Sequence, residues 1–210
     1  MARASRIVIC CVTGMLISPM SLEASPLKVV NVKAPDINCV FNAKCSNVVT
    51  DTVSTFSWPS YVSATGALAE LQSRTFLGKA TEGVAVPGAG KTAYLYRVIA
   101  KKGGSTDCVL GLVMDFGPIS QLDYNKSGIN SDIFVITSGG IGSVGIKSAD
   151  KVGNKITVNF TQGICNTVTQ SSYFFGLTSN AKPKTATIQA NVIGIGSPSL
   201  NVGGRLPINN

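Results

Sequence analysis

Residues 85–92, AVPGAGKT, match the spacing of a phosphate-binding loop, because Gly-Lys-Thr follows a small residue and four free positions. Such a loop works when its backbone N–H groups and the start of a following helix point at the phosphates. After Thr92, however, the segment AYLYRVIAKK has the two-residue period of a strand. We therefore predict a Pro-Gly turn between two strands, with Gly88 in the left-handed conformation, and no bound nucleotide.

A second glycine-rich segment matches the spacing of a dinucleotide-binding loop at Gly140, Gly142 and Gly145. That fold needs an acidic residue roughly 20 positions further on, and no acidic residue follows Asp150. The next strand-like segment, KITVNFTQ, also comes too soon for a crossover helix. We predict a tightly turning loop.

The segment DYNKSGINSD, residues 123–132, has oxygen-bearing residues at the spacing of a calcium-binding loop. The twelfth position is Phe134, where a calcium loop has a bidentate Glu. The favoured alternative is a polar turn whose side chains bond their own backbone. Calcium is thus the one cofactor that the sequence leaves open, with these candidate ligands: Asp123, Asn125, Ser127, the carbonyl of Ile129, and Asp132.

Trp58 and Tyr61, in FSWPSY, are the candidate carbohydrate contacts, since exposed aromatic faces stack on sugar rings. The alternative is that they pack in a β-sheet core. A second aromatic group, Tyr173–Phe175, leaves the same two alternatives open.

The chain contains no histidine, which excludes Ser/His and Cys/His nucleophile pairs and histidine-ligated zinc. Catalysis would have to rely on a carboxylate pair, as in glycoside hydrolysis, and no spacing nominates two of the acidic residues. We predict no catalytic residue and no enzymatic activity.

Six cysteines occur, of which Cys10 and Cys11 lie in the apolar N-terminal run. The other four allow three disulfide pairings. Cys39 with Cys45 would close the short loop CVFNAKC and leave Cys108 with Cys165 to join distant strands. A four-thiolate zinc site is the alternative, although no pair has the short spacing of such sites.

The N-terminus has the layout of a secretory signal peptide, with Arg3 and Arg6 before an apolar run from Ile7 to Ile17. We predict a signal peptide over residues 1–24, one domain over 25–198 and a loose tail over 199–210. No later segment is long and apolar enough for a transmembrane anchor. The expected location is secreted or cell-surface, with the periplasm as an alternative.

Charged residues make up only 13% of the chain, and strand-like segments rich in Val, Ile, Thr and aromatic residues recur between Gly, Pro, Asn and Ser clusters. This pattern predicts an all-β fold, a single antiparallel β-sandwich of jelly-roll or immunoglobulin-like type. At most one short helix is expected, over residues 66–74, where a strand is the alternative.

The predicted mature chain is basic. Loss of Arg3, Arg6 and Glu23 with the signal leaves a formal charge of +7, and the last 60 residues contain no acidic side chain. A field of one sign attracts polysaccharide or other polyanions. The alternative is that scattered lysines keep sheet edges soluble and unpaired.

The segments LQSRTF, TAYLYRV, MDFGP, LDYN and DIFVITSGGIGSVG are similar to segments of exported bacterial β-rich proteins of unknown function. The resemblance covers roughly residues 35–180. It implies an exported bacterial β-domain and assigns no activity.

The leading functional prediction is therefore a secreted, non-catalytic surface or extracellular-matrix protein with a role in adhesion or assembly. In one version the N-terminal PLKVVNVKA pairs with a neighbour's sheet edge by strand addition. The alternatives are a carbohydrate- or polyanion-binding module and a carboxylate-dependent glycoside hydrolase.

Overall fold

The computed structural model describes residues 23–56, 69–103, 107–193 and 199–208. Most of the predicted signal peptide, together with Trp58 and Tyr61, lies outside the described residues. The described elements, in chain order, are β1 Ser25–Pro26, β2 Val29–Lys33, α1 Ala34–Phe41, β3 Thr50–Phe56, β4 Ala69–Leu77, β5 Thr92–Ala100, β6 Cys108–Asp115, β7 Ile133–Ser138, β8 Ile146–Val152, β9 Lys155–Cys165, β10 Gln170–Ser171, β11 Phe175–Ser179, β12 Pro183–Ile193 and β13 Ser199–Pro207.

The strands form two sheets. Sheet A has the order β1-β8-β9-β6-β12-β13 with every pair antiparallel. Sheet B has the order β2-β7-β11-β5-β4-β3, with β10 also paired to β5. The predicted all-β class is confirmed. The expectation of purely antiparallel pairing is wrong for sheet B, because β2 runs parallel to β7. The single sandwich, with its jelly-roll or immunoglobulin-like topology, remains a prediction.

Side chains from both sheets meet in one buried cluster. Alternate residues of each strand point to the same side of a sheet, so the period of two seen in the sequence supplies this core. Burial of each large side chain contributes about 1.5–3 kcal/mol. Members from sheet B include Leu71, Tyr96 and Val98, and members from sheet A include Leu112, Val158 and Ile188.

The N-terminal segment is fixed at the edges of both sheets. Leu27 N–H donates to the carbonyl of Ala149 in sheet A. The next residue, Lys28, donates its N–H to Asp132 Oδ2 at 2.8 Å and accepts from the N–H groups of Asp132 and Ile133. These bonds place β2 beside β7. The segment expected to pair with a neighbouring molecule is therefore already paired within its own chain.

The one described helix differs from the predicted one. Residues 69–77 form β4, whose alternate side chains, beginning with Ala69 and Leu71, face the core while β3 and β5 pair on either side. Here cross-strand pairing outweighs helix propensity. Helix α1 instead begins with Pro at a first-turn position and buries Ile37, Val40 and Phe41.

Helix α1 covers part of the outer face of sheet B. Phe41 packs edge-on against Phe76, with ring centroids 5.0 Å apart, and lies near Phe134. These three phenylalanines belong to a second buried cluster, on the outer face of sheet B. Tyr124 also belongs to it and packs against Phe134. The rest of the outer face, along β3, β4 and β5, carries exposed or half-exposed side chains, most of them polar, with Val53 and Ile99 as apolar members.

The predicted loose tail is wrong for residues 199–207, which form β13. This strand pairs with β12 along its whole length and buries Leu200, Val202 and Leu206. The carbonyl of Arg205 accepts a 2.7 Å hydrogen bond from the Tyr96 hydroxyl, which ties sheet A to sheet B. Leu200, Val202 and Leu206 follow the two-residue period of a strand. The glycines between Val202 and Leu206 have low strand propensity and interrupt that pattern in the sequence.

Both predicted disulfides are present, Cys39–Cys45 and Cys108–Cys165. The first joins α1 to the turn after it, and the second joins β6 to β9. Within the described ranges, no helix is long and apolar enough to cross a membrane.

Candidate functional site

A cleft of about 720 Å³ opens at one end of the two sheets. It lies among the end of β4, the start of β5, the segment after α1 and the turn between β11 and β12. Its volume is within the range of about 300–1,000 Å³ typical of ligand sites. The lining includes the lysines Lys79 and Lys182, the amides of Asn42, Asn47 and Asn180, and the apolar side chains of Val48, Phe76 and Leu77.

The segment that resembled a phosphate-binding loop supports one side of this cleft. Gly88 N–H donates to the carbonyl of Val40, and Lys79 N–H donates to the carbonyl of Phe41. Those carbonyls belong to the last turn of α1, where helical partners are missing. The hairpin between β4 and β5 therefore caps the end of α1.

The backbone N–H groups of Gly88, Ala89, Gly90 and Lys91 are engaged inside the protein. Ala89 N–H donates to Val86, Gly90 N–H to Gly78, and Lys91 N–H to Gly88. A phosphate cradle requires such amides to be free, and the following element is the strand β5. The predicted turn is confirmed, but its left-handed residue is Gly90, with φ 74°, and not Gly88.

The opposite wall depends on the short disulfide. After α1 the chain turns back, with Cys45 N–H donating to the carbonyl of Asn42 and Cys39 bonded to Cys45. The amide nitrogen of Asn47 then donates to the carbonyl of Asn38 at 3.3 Å. The wall is thus fixed to the helix. Val48 beyond it is 85% exposed at the rim.

Two hydrogen bonds from β5 and the residue before it hold the turn between β11 and β12. Tyr94, on β5, donates its hydroxyl to the carbonyl of Ala181 at 2.7 Å. Burial raises the pKa of Tyr94, which keeps the phenol protonated as a donor. At the surface, Lys91 Nζ donates to Asn180 Oδ1 at 3.1 Å. These bonds hold Asn180 and Lys182 at the mouth of the cleft.

The cleft is electropositive. Two lysines line it, Lys91 lies beside it through Asn180, and the lining residues of the cleft include no Asp or Glu. Amide groups can donate to and accept from hydroxyl groups, and lysines attract anionic groups. The arrangement is suited to an anionic, hydroxyl-rich ligand.

The residues predicted as calcium ligands form a turn that uses its own side chains. Asp123 Oδ1 and Oδ2 accept from Ser127 N–H at 2.9 Å and from Gly128 N–H at 2.7 Å, and Asn125 Oδ1 accepts from Ser127 N–H at 3.3 Å. These are the hydrogen bonds expected of the polar-turn alternative.

Asp132 is buried, and its carboxylate accepts from Lys28 N–H and from Gln121 Nε2, while the side chain of Ile129 is exposed. In the described part of the chain, no group of three or more His, Cys, Asp or Glu side chains could hold a metal ion.

The glycines that matched a dinucleotide-binding loop form a loop between β7 and β8. Gly142 has φ 117°, and a Cβ there would overlap the carbonyl of Ser172. Glycine is thus needed because two stretches of backbone meet closely. The loop leads into a strand, as predicted.

Sequence reasoning did not find the cleft. Its lining residues come from segments as far apart as Asn42 and Pro183, and they share no motif. The one usable signal was the acid-free C-terminal region, which supplies Asn180 and Lys182. The carbohydrate candidates Trp58 and Tyr61 lie outside the described residues, so they cannot be placed relative to the cleft.

No protein-family model, no curated protein and no solved structure matches the chain. The similarity of its segments to exported bacterial proteins therefore stays a resemblance, and function must be argued from the cleft.

Proposed function

We propose that the protein is an exported, non-catalytic β-domain that binds acidic polysaccharide at a cell surface or in an extracellular matrix. The observation that carries the proposal is the cleft, whose lining joins two lysines to three amide side chains and contains no carboxylate. Bound polymer would attach the protein to a surface, which is an adhesive role.

Export is supported by the two disulfides, because such bonds persist in oxidising compartments. The basic excess of the predicted mature chain supports a polyanionic partner, since a field of one sign raises the encounter rate with opposite charge. Lys79 and Lys182 place part of this positive charge at the cleft, where a polyanion can bind.

Binding without catalysis is favoured over glycoside hydrolysis. A hydrolase needs two carboxyl groups facing one sugar, and the lining of the cleft supplies neither. Elsewhere, Asp51 pairs with Arg74, and Glu70 pairs with Lys101. These carboxylates neutralise neighbouring cations.

Calorimetric titration with polygalacturonate, a carboxylated polysaccharide, and with neutral dextran tests the proposal. We expect binding to polygalacturonate that weakens as sodium chloride screens the charges, and no binding to dextran. Replacing both cleft lysines, K79Q/K182Q, should weaken binding about three- to tenfold, as expected for exposed charge pairs.

The matched control is K147Q/K155Q, which removes two exposed lysines from sheet A and changes the net charge equally. It should bind like the wild-type protein apart from a small effect of overall charge. Equal loss in the two double variants would show that net charge and not the cleft determines binding, and would overturn the proposed site.

A further inference from the structure

Two arginine side chains share one aromatic ring on the outer face of sheet B. The guanidinium carbon of Arg74 lies 4.6 Å from the ring centroid of Phe174, and that of Arg97 lies 5.8 Å from it. Arg74 is on β4 opposite Leu95, so Arg97 is its diagonal neighbour on β5. Such proximity of like charges is unfavourable unless an anion or a ring compensates it.

Among the described residues, one carboxylate, that of Asp51, pairs with these two guanidinium groups, and it pairs with Arg74. Arg74 Nε donates to Asp51 Oδ2 at 2.8 Å, and the amide of Gln72 donates to the same oxygen. Arg97 donates through Nε and Nη2 to the hydroxyl of Ser171 and has no carboxylate partner among the described residues. Burial, and the charge of Arg74, lower the pKa of Arg97.

This arginine pair adjoins the cleft. Phe76, two residues beyond Arg74 on the same strand, lines the cleft together with Thr75 and Leu77. Alternate residues of a strand share a face and are about 6–7 Å apart. Arg74 therefore lies beside the cleft on β4, and Arg97, its diagonal neighbour on β5, lies on the side of Arg74 away from the cleft.

We infer that Arg74 and Arg97 form a carboxylate-binding subsite next to the cleft, and that the acidic polysaccharide is a polymer of uronic-acid units. The inference rests on the proposed function, because it names the polymer that the cleft would bind. A planar guanidinium donates two parallel hydrogen bonds to a planar carboxylate, whereas lysine acts as a point charge.

The existing partners leave room for this ligand. Asp51 accepts from Arg74 only through Nε, and Ser171 accepts from Arg97 only through Nε and Nη2. The remaining N–H groups of the two forks are the donors for an incoming carboxylate. The ring of Phe174, itself 5% exposed, packs against both guanidinium groups.

The test uses sodium glucuronate as the small probe, with sodium sulfate and glucose as comparisons. The arginine Nε–Hε signals are followed by NMR in the full chain. We expect saturable shifts of the Arg74 and Arg97 signals with glucuronate, weaker shifts with sulfate, and none with glucose. Absence of saturation with glucuronate would overturn the subsite, and equal affinity for sulfate would overturn its assignment to carboxylates.

Variants then separate the subsite from the cleft. R97Q should weaken glucuronate binding about tenfold, as for loss of a charged hydrogen bond. R97K keeps the charge but loses the fork, so its affinity should also fall. Glucuronate affinity in R97K equal to that of the wild-type protein would contradict recognition by the fork. Thermal unfolding of each variant verifies that it folds. If R97Q does not fold, R74Q replaces it as the variant that removes one arginine of the subsite.

Polysaccharide titrations make the two proposals fail differently. If polygalacturonate binding is lost in K79Q/K182Q but unchanged in R97Q and R74Q, the cleft stands and the subsite is overturned. If the wild-type protein binds glucuronate at the arginines but does not bind polygalacturonate, the subsite stands and the proposed function fails.

Discussion

Gly78 and Gly88 show what the glycines of the apparent phosphate-binding loop do. A Cβ at Gly78 would overlap the carbonyl oxygen of Gly88, and a Cβ at Gly88 would overlap the ring of Phe41. The first obstacle is backbone and cannot rotate away. These residues are glycines because the hairpin packs closely on itself and on α1.

Gly78→Ala should therefore lower the free energy of unfolding by about 1–3 kcal/mol, the usual cost of overpacking. Gly145→Ala is the control, because the nearest atom to its added Cβ is a Thr161 methyl at 3.6 Å and its φ is not left-handed. That variant should stay within about 0.5 kcal/mol of the wild-type protein. Denaturant titration compares them, and equal stability of the two variants would contradict the packing argument.

At Asp123, the two carboxylate oxygens already accept backbone N–H groups. We expect Asp123→Ala to cost about 1–3 kcal/mol, because the Ser127 and Gly128 amides lose a charged acceptor. Asp123→Asn should cost less, since one acceptor remains. Both effects should be the same in calcium and in chelator, and the wild-type melting temperature should not depend on calcium. A melting temperature that rises with calcium only when Asp123 is present would establish the calcium loop instead.

At the scale of the elements, the two disulfides close loops of very different length. Cys108 and Cys165 are 57 residues apart, whereas Cys39 and Cys45 are 6 apart. In the chain-entropy model, removing the long bridge costs about 4 kcal/mol and removing the short one about 2 kcal/mol. Paired Cys→Ser variants followed by thermal unfolding measure the difference. An equal cost would mean that local contacts, and not loop length, determine the stabilisation.

Strand β2 is the element on which assembly by strand addition would depend. Asp132, 8% exposed, holds its start through Lys28 N–H and also accepts from Gln121. Asp132→Ala should cost about 1–3 kcal/mol, because Lys28 N–H and Gln121 Nε2 lose a charged acceptor. Hydrogen exchange of the β2 amides should rise more than that of the β5 amides.

Glu82→Ala, at an exposed turn position, is the control for this variant and should leave exchange unchanged. Because β2 is paired within its own chain, the wild-type protein should elute as a monomer in sizing chromatography. Concentration-dependent oligomers in the wild-type protein, lost when residues 25–33 are deleted, would support strand exchange and contradict this expectation.

At the scale of the whole molecule, the sequence predicted strands where alternation was strong, as at Thr92–Ala100, but not how they pair. The parallel position of β2 depends on hydrogen bonds between Lys28 and residues about 100 positions away. The same limit applies to the cleft, since Lys79 and Lys182 meet only after both sheets have formed. Local propensity carries no information about such distant contacts.

The core itself should make stability sensitive to alkaline pH. Burial raises the pKa of Tyr94, Tyr96 and Tyr124, and each hydroxyl donates a hydrogen bond that requires its proton. Below about pH 10 the phenols are protonated in both the folded and the unfolded chain, so their contribution to stability is complete. Above that pH the unfolded chain loses protons that the folded chain keeps, which favours unfolding.

The free energy of unfolding should therefore fall as pH rises above about 10, by up to about 1.4 kcal/mol per pH unit for each buried tyrosine. Denaturant titrations at a series of alkaline pH values measure the slope, and phenolate absorbance reports ionisation in the folded protein. Tyr124→Phe removes one titrating group and its bond to Thr178 Oγ1, so its stability should be lower at neutral pH but less steeply dependent on alkaline pH. A wild-type protein in which these phenols ionise near pH 10 while the chain stays folded would contradict their burial, because a phenolate in this core would have lost both its solvent and its hydrogen bond.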